Sequence, residues 1–302
     1  MTVLLNVILP VFIVAGVVGL AHHWLKFEAR TLSRIVFYLF APALVLDALA
    51  HSEAGAVAFG QITAAVLLTI TALWVLGSLA ARLLRLEGPT HSAFLVSVLL
   101  MNAGNFGLSV TLFAFGETGL AWASIYFTLS ALLSASLGAY ISARGRASAR
   151  QALRRVVGIP YVYAAALGLL LNLGNVTIPE PIDRAIHLLG QASVPVMLGV
   201  LGVQMAETLR ARQRVQHLPA LGIAILLRLI ASPALAWLFA GLVGLSGMPR
   251  DVTVLESAMP TAVITTILAT EFDSDPPFAA ISVLATTLLS LLTLTILLNI
   301  LM

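Results

Sequence analysis

Met101-Asn102-Ala103-Gly104-Asn105-Phe106-Gly107 interrupts an apolar stretch that runs from 92 to 116, and Ala258-Met259-Pro260-Thr261-Ala262 interrupts another, from 252 to 270. The two clusters lie about 155 residues apart. Each stretch is long enough to cross a bilayer, and each carries residues that break a helix at its middle. Lipid offers no partner for a freed N–H or C=O, so a break at membrane depth survives only where protein or a water-filled cavity surrounds it. Breaks at corresponding places in two halves of a chain point to the binding site of a carrier.

The rest of the composition makes lipid the solvent. Of 302 residues 60% are apolar and 10% charged, and mean hydropathy is +1.04, which leaves too little polar surface to cover a soluble domain. Charge-poor windows at 1–21, 35–46, 54–81, 92–116, 118–143, 156–179, 185–206, 215–249, 252–270 and 276–302 predict ten spans. The second reaches the roughly 20 residues of a crossing if Arg34 and Asp47 lie at its interfaces. The first has no basic leader and is longer than a signal-peptide core, so it reads as a span. Without cysteine there is no disulfide framework, thiolate nucleophile or Cys-based metal site.

Basic residues set the orientation. Lys26, Arg30 and Arg34, then Arg82 and Arg85, then Arg144, Arg146, Arg150, Arg154 and Arg155, then Arg210, Arg212 and Arg214 all follow odd-numbered spans, whereas the other face has only Arg184 and Arg250. The richer face is cytoplasmic by the positive-inside rule, so both termini are expected outside a plasma (inner) membrane that the chain crosses many times. The formal charge of +3 reflects this asymmetry and is no argument for nucleic acid. The basic segment 142–155 separates a repeat at 1–141 from a repeat at 156–302, and five spans in each half require the second to be inverted. Pro42 and Pro195, 153 residues apart, are expected to bend the helices beside the breaks.

An interrupted helix creates a new N-terminus with unpaired amides and about half a positive charge, so two crossed breaks attract an anion without a buried cationic side chain. A carboxylate is the obvious guest. Asn102 and Asn105 offer amides that donate to it. Gly104 and Gly107 open the first break, and Pro260 holds the second. Thr261 and Thr265 stand where hydroxyls either meet a ligand or return to their own backbone. The plainer reading of the Asn and Gly residues is that they knit packed helices together. Gln191, Ser193 and Gln204 are further cavity candidates.

Ionisable residues inside spans are few, and each costs roughly 2.5–3.5 kcal/mol at the bilayer centre. Arg228 lies about 16 Å along its helix, too deep to snorkel easily, and reads equally as a functional charge or as a tie to carbonyl groups or the Glu207 region. Glu256, little more than a turn into its span, is placed to carry a proton, with a hydrated interfacial carboxylate as the plainer expectation. Asp47 stands near the external end of its span. His187 is expected at the external surface.

MNAGNFGLSV, AMPTAVITTILATEF and DPPFAAISVLATTLLSLLTLTILL resemble the auxin efflux carrier family, which includes bacterial malate and malonate permeases. The resemblance implies an all-α membrane fold of ten helices in a 5+5 inverted repeat, with broken, crossing fourth and ninth helices, similar to bile acid symporters and a sodium/proton antiporter. It also favours Tyr126 as a cavity residue. The chain departs from the pattern at Ser109, where members often have Pro, and at Ile264, where they often have Asn.

The function expected is therefore alternating-access secondary transport of a small mono- or dicarboxylate. The alternative is a sodium- or proton-coupled exchanger or symporter of the same fold with a different anion, such as a bile-acid-like one. No pair of mid-span Asp residues supports conventional sodium/proton exchange. No cofactor is expected beyond coupling to H+ or Na+, and no metal. An enzyme is not expected, since the six histidines are scattered and no phosphate-binding loop occurs. The partners expected are the organic anion and the lipid bilayer, with a homodimer left open.

Overall fold

A chain that is apolar on every side can satisfy its backbone only within its own segments, and the computed structural model is accordingly helical. It describes residues 3–52, 55–143, 149–211 and 217–302. Arg144, Arg146, Arg212 and Arg214 of the basic connections lie outside them. In chain order the helices are α1 (Leu4–Leu25), α2 (Ala29–Ala50), α3 (Ala56–Leu83), α4 (Gly88–Leu99) and α5 (Ala103–Ser142). After the linker helix α6 (Ala149–Val157) come α7 (Pro160–Leu173), α8 (Glu180–Gln191), α9 (Ser193–Arg210) and α10 (Leu218–Leu242). α11 (Gly247–Ser257), α12 (Ile264–Glu271) and α13 (Pro276–Leu301) complete the chain.

Seven stretches among the described residues are long and apolar enough to cross a membrane, counting α8 and α9 as one, against the ten spans expected. The difference has physical causes. The interrupted segments exist only in pieces, with 12 residues in α4, 11 in α11 and 8 in α12. Helix α7 has 14 residues. The 40-residue α5 holds the far side of the first break together with the next segment, divided at Gly116, whose φ of 65° and ψ of −162° are not helical.

Helices from the two halves pack across one another: α1 on α9, α2 on α7 and α3 on α10. Small residues let two of these pairs touch backbone to backbone. A methyl group added at Gly202 would stand 2.0 Å from the Ala15 carbonyl oxygen, and one at Gly168 would stand 3.1 Å from that of Leu46. A π-helical turn at Val36–Phe40 precedes Pro42, and another at Leu227–Ala231 precedes Pro233, so α2 and α10 each adjust their winding just before a proline. Pro195 instead stands in the first turn of α9, past the junction at Ala192. Around the breaks the core is dense, with Phe94, Leu99, Phe106, Leu108 and Tyr126 nearly inaccessible.

Candidate functional site

Helix α4 stops because Leu100 turns to an extended conformation (φ −96°, ψ 114°). The chain then runs for three residues beside the interruption between α11 and α12. Met101 and Thr261 form an antiparallel bridge, the sole isolated bridge among the described residues. The Asn102 amide donates to Pro260 O at 2.8 Å, and the Ala262 amide donates to Leu100 O at 2.8 Å. Each break thus supplies the partners that the other lost. Side chains complete the exchange: Thr261 Oγ1 donates to Ser97 O at 2.8 Å, and the Thr261 amide donates to Thr286 Oγ1 at 3.0 Å.

The four half-helix ends at this crossing are treated in two ways. The C-terminal ends, those of α4 and α11, share one cation. Arg228 Nη1 donates to Val98 O at 2.9 Å and Leu99 O at 3.4 Å, and its Nη2 donates to Ser257 O and Ser232 Oγ. Arg228 is wholly buried. Of the readings open in the sequence, the tie to carbonyl groups describes it; Glu207 lies beside His22 instead, 3.9 Å away.

The N-terminal ends, those of α5 and α12, have no side-chain cap. Both border one cavity of about 350 Å³, through Asn102, Gly104 and Asn105 on one side and Ala262, Val263 and Ile264 on the other. Asn102 is 5% exposed and its side-chain Nδ2 is buried without a hydrogen-bond partner. Phe37, Phe127 and Tyr161 form an aromatic wall, with ring centroids 5.4 Å and 4.8 Å apart for the pairs that Tyr161 makes. Gly104 is required against it, since a methyl group there would stand 2.7 Å from the Phe127 ring. Gln204 also lines the cavity.

Among the described residues Arg155 of α6 is the one charged side chain in that lining. It is hydrogen-bonded to Glu271 and lies over the Phe272 ring, 5.2 Å from its centroid. A wider opening nearby is bordered by Lys26, Arg30 and Arg34 with Glu28, Glu207 and Glu271, and it shares Ser33, Gln204 and Ile267 with the cavity. The cavity therefore faces the arginine-rich end of the molecule.

Several expected site residues stand elsewhere. Tyr126 is turned to the α11 end, its hydroxyl 2.8 Å from Ser257 Oγ, and the aromatic side chain at the cavity is that of its neighbour Phe127. Thr265 Oγ1 returns to Ala262 O at 2.7 Å. Thr261 and Pro260 hold the crossing and do not line the cavity. Gly107 meets Glu256: an added methyl group would lie 2.1 Å from Glu256 Oε2. Glu256 itself is not a hydrated interfacial carboxylate. It is fully buried, accepts a hydrogen bond from Thr111 Oγ1 at 2.8 Å on Oε1, and has no partner on Oε2. Asp47 stands at the opposite end of the molecule with His51, Glu117 and His187 around a second cavity. Arg155, Phe127 and Tyr161 were missed as cavity residues; nothing in sequence separates Arg155 from the other linker arginines.

Two interrupted helices paired across their breaks, with both new N-termini on one cavity of about 350 Å³, define a helical membrane protein with a candidate binding site within its packed core. The chain belongs to the membrane transport protein family, whose sequence model matches residues 3–151 and 141–298. It is 30% identical to an uncharacterized transporter of Methanothermobacter thermautotrophicus over 97% of this chain and 92% of the relative. An uncharacterized transporter of Methanocaldococcus jannaschii is 27% identical over 88% of this chain and 87% of its own length. A Rhizobium meliloti protein named "Putative malonate transporter" is 27% identical over 64% of this chain and 62% of the relative.

Proposed function

We propose that this membrane transport protein is a secondary carrier for a small organic anion, a mono- or dicarboxylate, that works by alternating access. The observation that carries the reading is the single cavity onto which both uncapped half-helix starts open, with Asn102, Asn105 and Arg155 in its wall. Amide dipoles at two helix starts and one guanidinium give an anion its counter-charge, and the aromatic wall suits a short carbon skeleton. The name of the Rhizobium relative agrees with a dicarboxylate. Ten crossings in a 5+5 inverted repeat, with repeats at 1–141 and 156–302, fit the exchange of partners in which α1 packs on α9 while α2 packs on α7. The arginine-rich end, where the cavity opens, is cytoplasmic in this reading, and both termini are external to the plasma membrane.

The test is uptake into proteoliposomes of labelled malonate, malate, a monocarboxylate and indole-3-acetate under imposed proton or sodium gradients. One of these acids is expected to be taken up saturably. Asn105→Ala removes a hydrogen bond to a charged guest, about 1.5–3 kcal/mol, and is expected to raise the half-saturating concentration at least tenfold. Uptake of none of the acids by folded wild-type protein would refute the reading.

Proton coupling, among the coupling modes, is favoured by one feature. Glu256 is the sole fully buried acidic side chain among the described residues, and its free Oε2 touches the first break at Gly107. A carboxyl group there can exchange a proton while the break moves. Glu256→Gln keeps the Thr111 contact and is expected to leave substrate binding intact while uptake no longer responds to an imposed pH gradient. Unchanged pH-driven uptake in Glu256→Gln would remove Glu256 from the mechanism.

A further inference from the structure

At the end opposite the arginine-rich connections, Asp47 of α2 and His51 just past its last residue, and Asp183 and His187 of α8, each make an Asp–His pair four residues apart. That spacing puts both side chains of a pair on one helix face. The two faces meet. Asp47, His51 and Asp183 can each offer one ligand atom, and those three atoms lie within 4.8 Å of one another.

We propose that these three residues bind a divalent transition-metal ion of the Zn2+ class. His51 Nε2 and Asp183 Oδ1 are 3.4 Å apart. That is long for a hydrogen bond, but ligands held at about 2.1 Å by a tetrahedral metal stand roughly 3.4 Å from each other. Asp183 Oδ1 is buried and has no hydrogen-bond partner, so it is the atom that most needs a cation. His51 Nδ1 lies 3.0 Å from the Asp47 carbonyl oxygen, an acceptor for a proton on that nitrogen, which turns Nε2 toward Asp183 as a ligand.

The surroundings match those of a metal site. His187 Nδ1 is 2.8 Å from Asp47 Oδ2, and its Nε2 is 2.9 Å from the Gln191 amide nitrogen. The amide donates to Nε2, so Nδ1 carries the proton and donates to Asp47 Oδ2, orienting that carboxylate; Oδ1, the oxygen offered to the ion, stands 3.3 Å from His51 Nδ1. Two carboxylates balance a 2+ charge, and one imidazole with two oxygens suits a transition metal better than Ca2+, which takes six to eight oxygen ligands. The remaining positions face a cavity of about 520 Å³ lined by Glu117 and His187, where water completes the shell. An ion there joins the ends of α2 and α8. The site is separate from the anion cavity and independent of the transport reading.

The experiment uses the full chain, purified in detergent without a polyhistidine tag and stripped with EDTA, titrated with Zn2+ and, separately, with Ca2+ and Mg2+. One Zn2+ per chain is expected to bind saturably and raise the melting temperature, with neither Ca2+ nor Mg2+ doing so at equal concentration. His51→Gln and Asp183→Asn are expected to weaken Zn2+ at least tenfold, and His187→Ala roughly 10- to 100-fold through the lost orienting bond. His217→Ala, outside the cluster, is expected to bind as wild type. As a readout needing no variant, Co2+ should give the visible bands of a low-coordinate nitrogen and oxygen site and lose them to Zn2+. Absence of saturable Zn2+ binding, or equal affinity in the His51→Gln/Asp183→Asn double variant, would overturn the proposal.

Discussion

Replacing Arg228 by methionine is expected to abolish accumulation of monodisperse protein in detergent, an effect on folding and not on turnover. The C-terminal ends of α4 and α11 each present orphan carbonyls and about half a negative charge. Both ends sit on the one buried guanidinium through Val98 O, Leu99 O and Ser257 O. Two such ends sum to roughly one unit of charge, which the arginine neutralises at a depth where water cannot. Without it Val98 O and Leu99 O lose this donor, at about 1–3 kcal/mol each, and Ser257 O keeps only Ser232 Oγ. The sum, on the order of 2–6 kcal/mol, together with two helix ends left without a counter-charge outweighs the roughly 2.5–3.5 kcal/mol that inserting an arginine costs and is a large share of a typical folding free energy. Arg228→Lys keeps the charge but not the planar fork that reaches both ends, and should fold with a lowered melting temperature. Size-exclusion chromatography and thermal unfolding check both. A methionine variant that folds normally yet loses uptake would instead make Arg228 a counter-charge for the substrate.

The breaks were legible in sequence because their signal is chemical: Gly, Asn and Pro cluster at mid-span and do so at corresponding places in the two halves. What holds the breaks was not legible. The depth of Arg228 could be counted along its helix, but its three carbonyl partners lie on two other helices, 29 to 130 residues away. Glu256 was misread for a related reason. Its distance from the start of the apolar window at 252 suggested an interface, yet α11 begins five residues earlier, at Gly247, and packs against α3, α5 and α10. Tyr126 and Phe127 show the limit for rotation. One residue is about 100° around a helix, and a segment apolar on most of its circumference gives no phase by which to choose which residue faces the cavity. The number of spans was blurred at the same places, since a broken or kinked segment is one apolar window in sequence and two helices in space.

Reversal of charge at Arg155 is expected to reduce uptake of a carboxylate about a hundredfold, the largest effect at the cavity itself. Arg155 is the single charged residue of the cavity wall among the described residues and also pairs with Glu271. Two roles fit that position: a counter-charge for the anion, or half of an ion pair that closes the entrance. Charge exchange separates them. Arg155→Glu sets a carboxylate against the incoming anion, a like-charge cost of several kcal/mol, and about 2.7 kcal/mol already corresponds to a hundredfold. Adding Glu271→Arg restores the ion pair with its direction reversed but leaves the carboxylate at the cavity wall. If the guanidinium acts on the substrate, the double variant stays as impaired as Arg155→Glu, and its half-saturating concentration rises while binding to the detergent-purified protein weakens in parallel. Recovery of uptake in the double variant would assign Arg155 to the entrance and leave the anion to the two helix ends and the asparagines alone. The exposed pair itself contributes little stability, on the order of 0–1 kcal/mol, so neither variant should be confounded by unfolding.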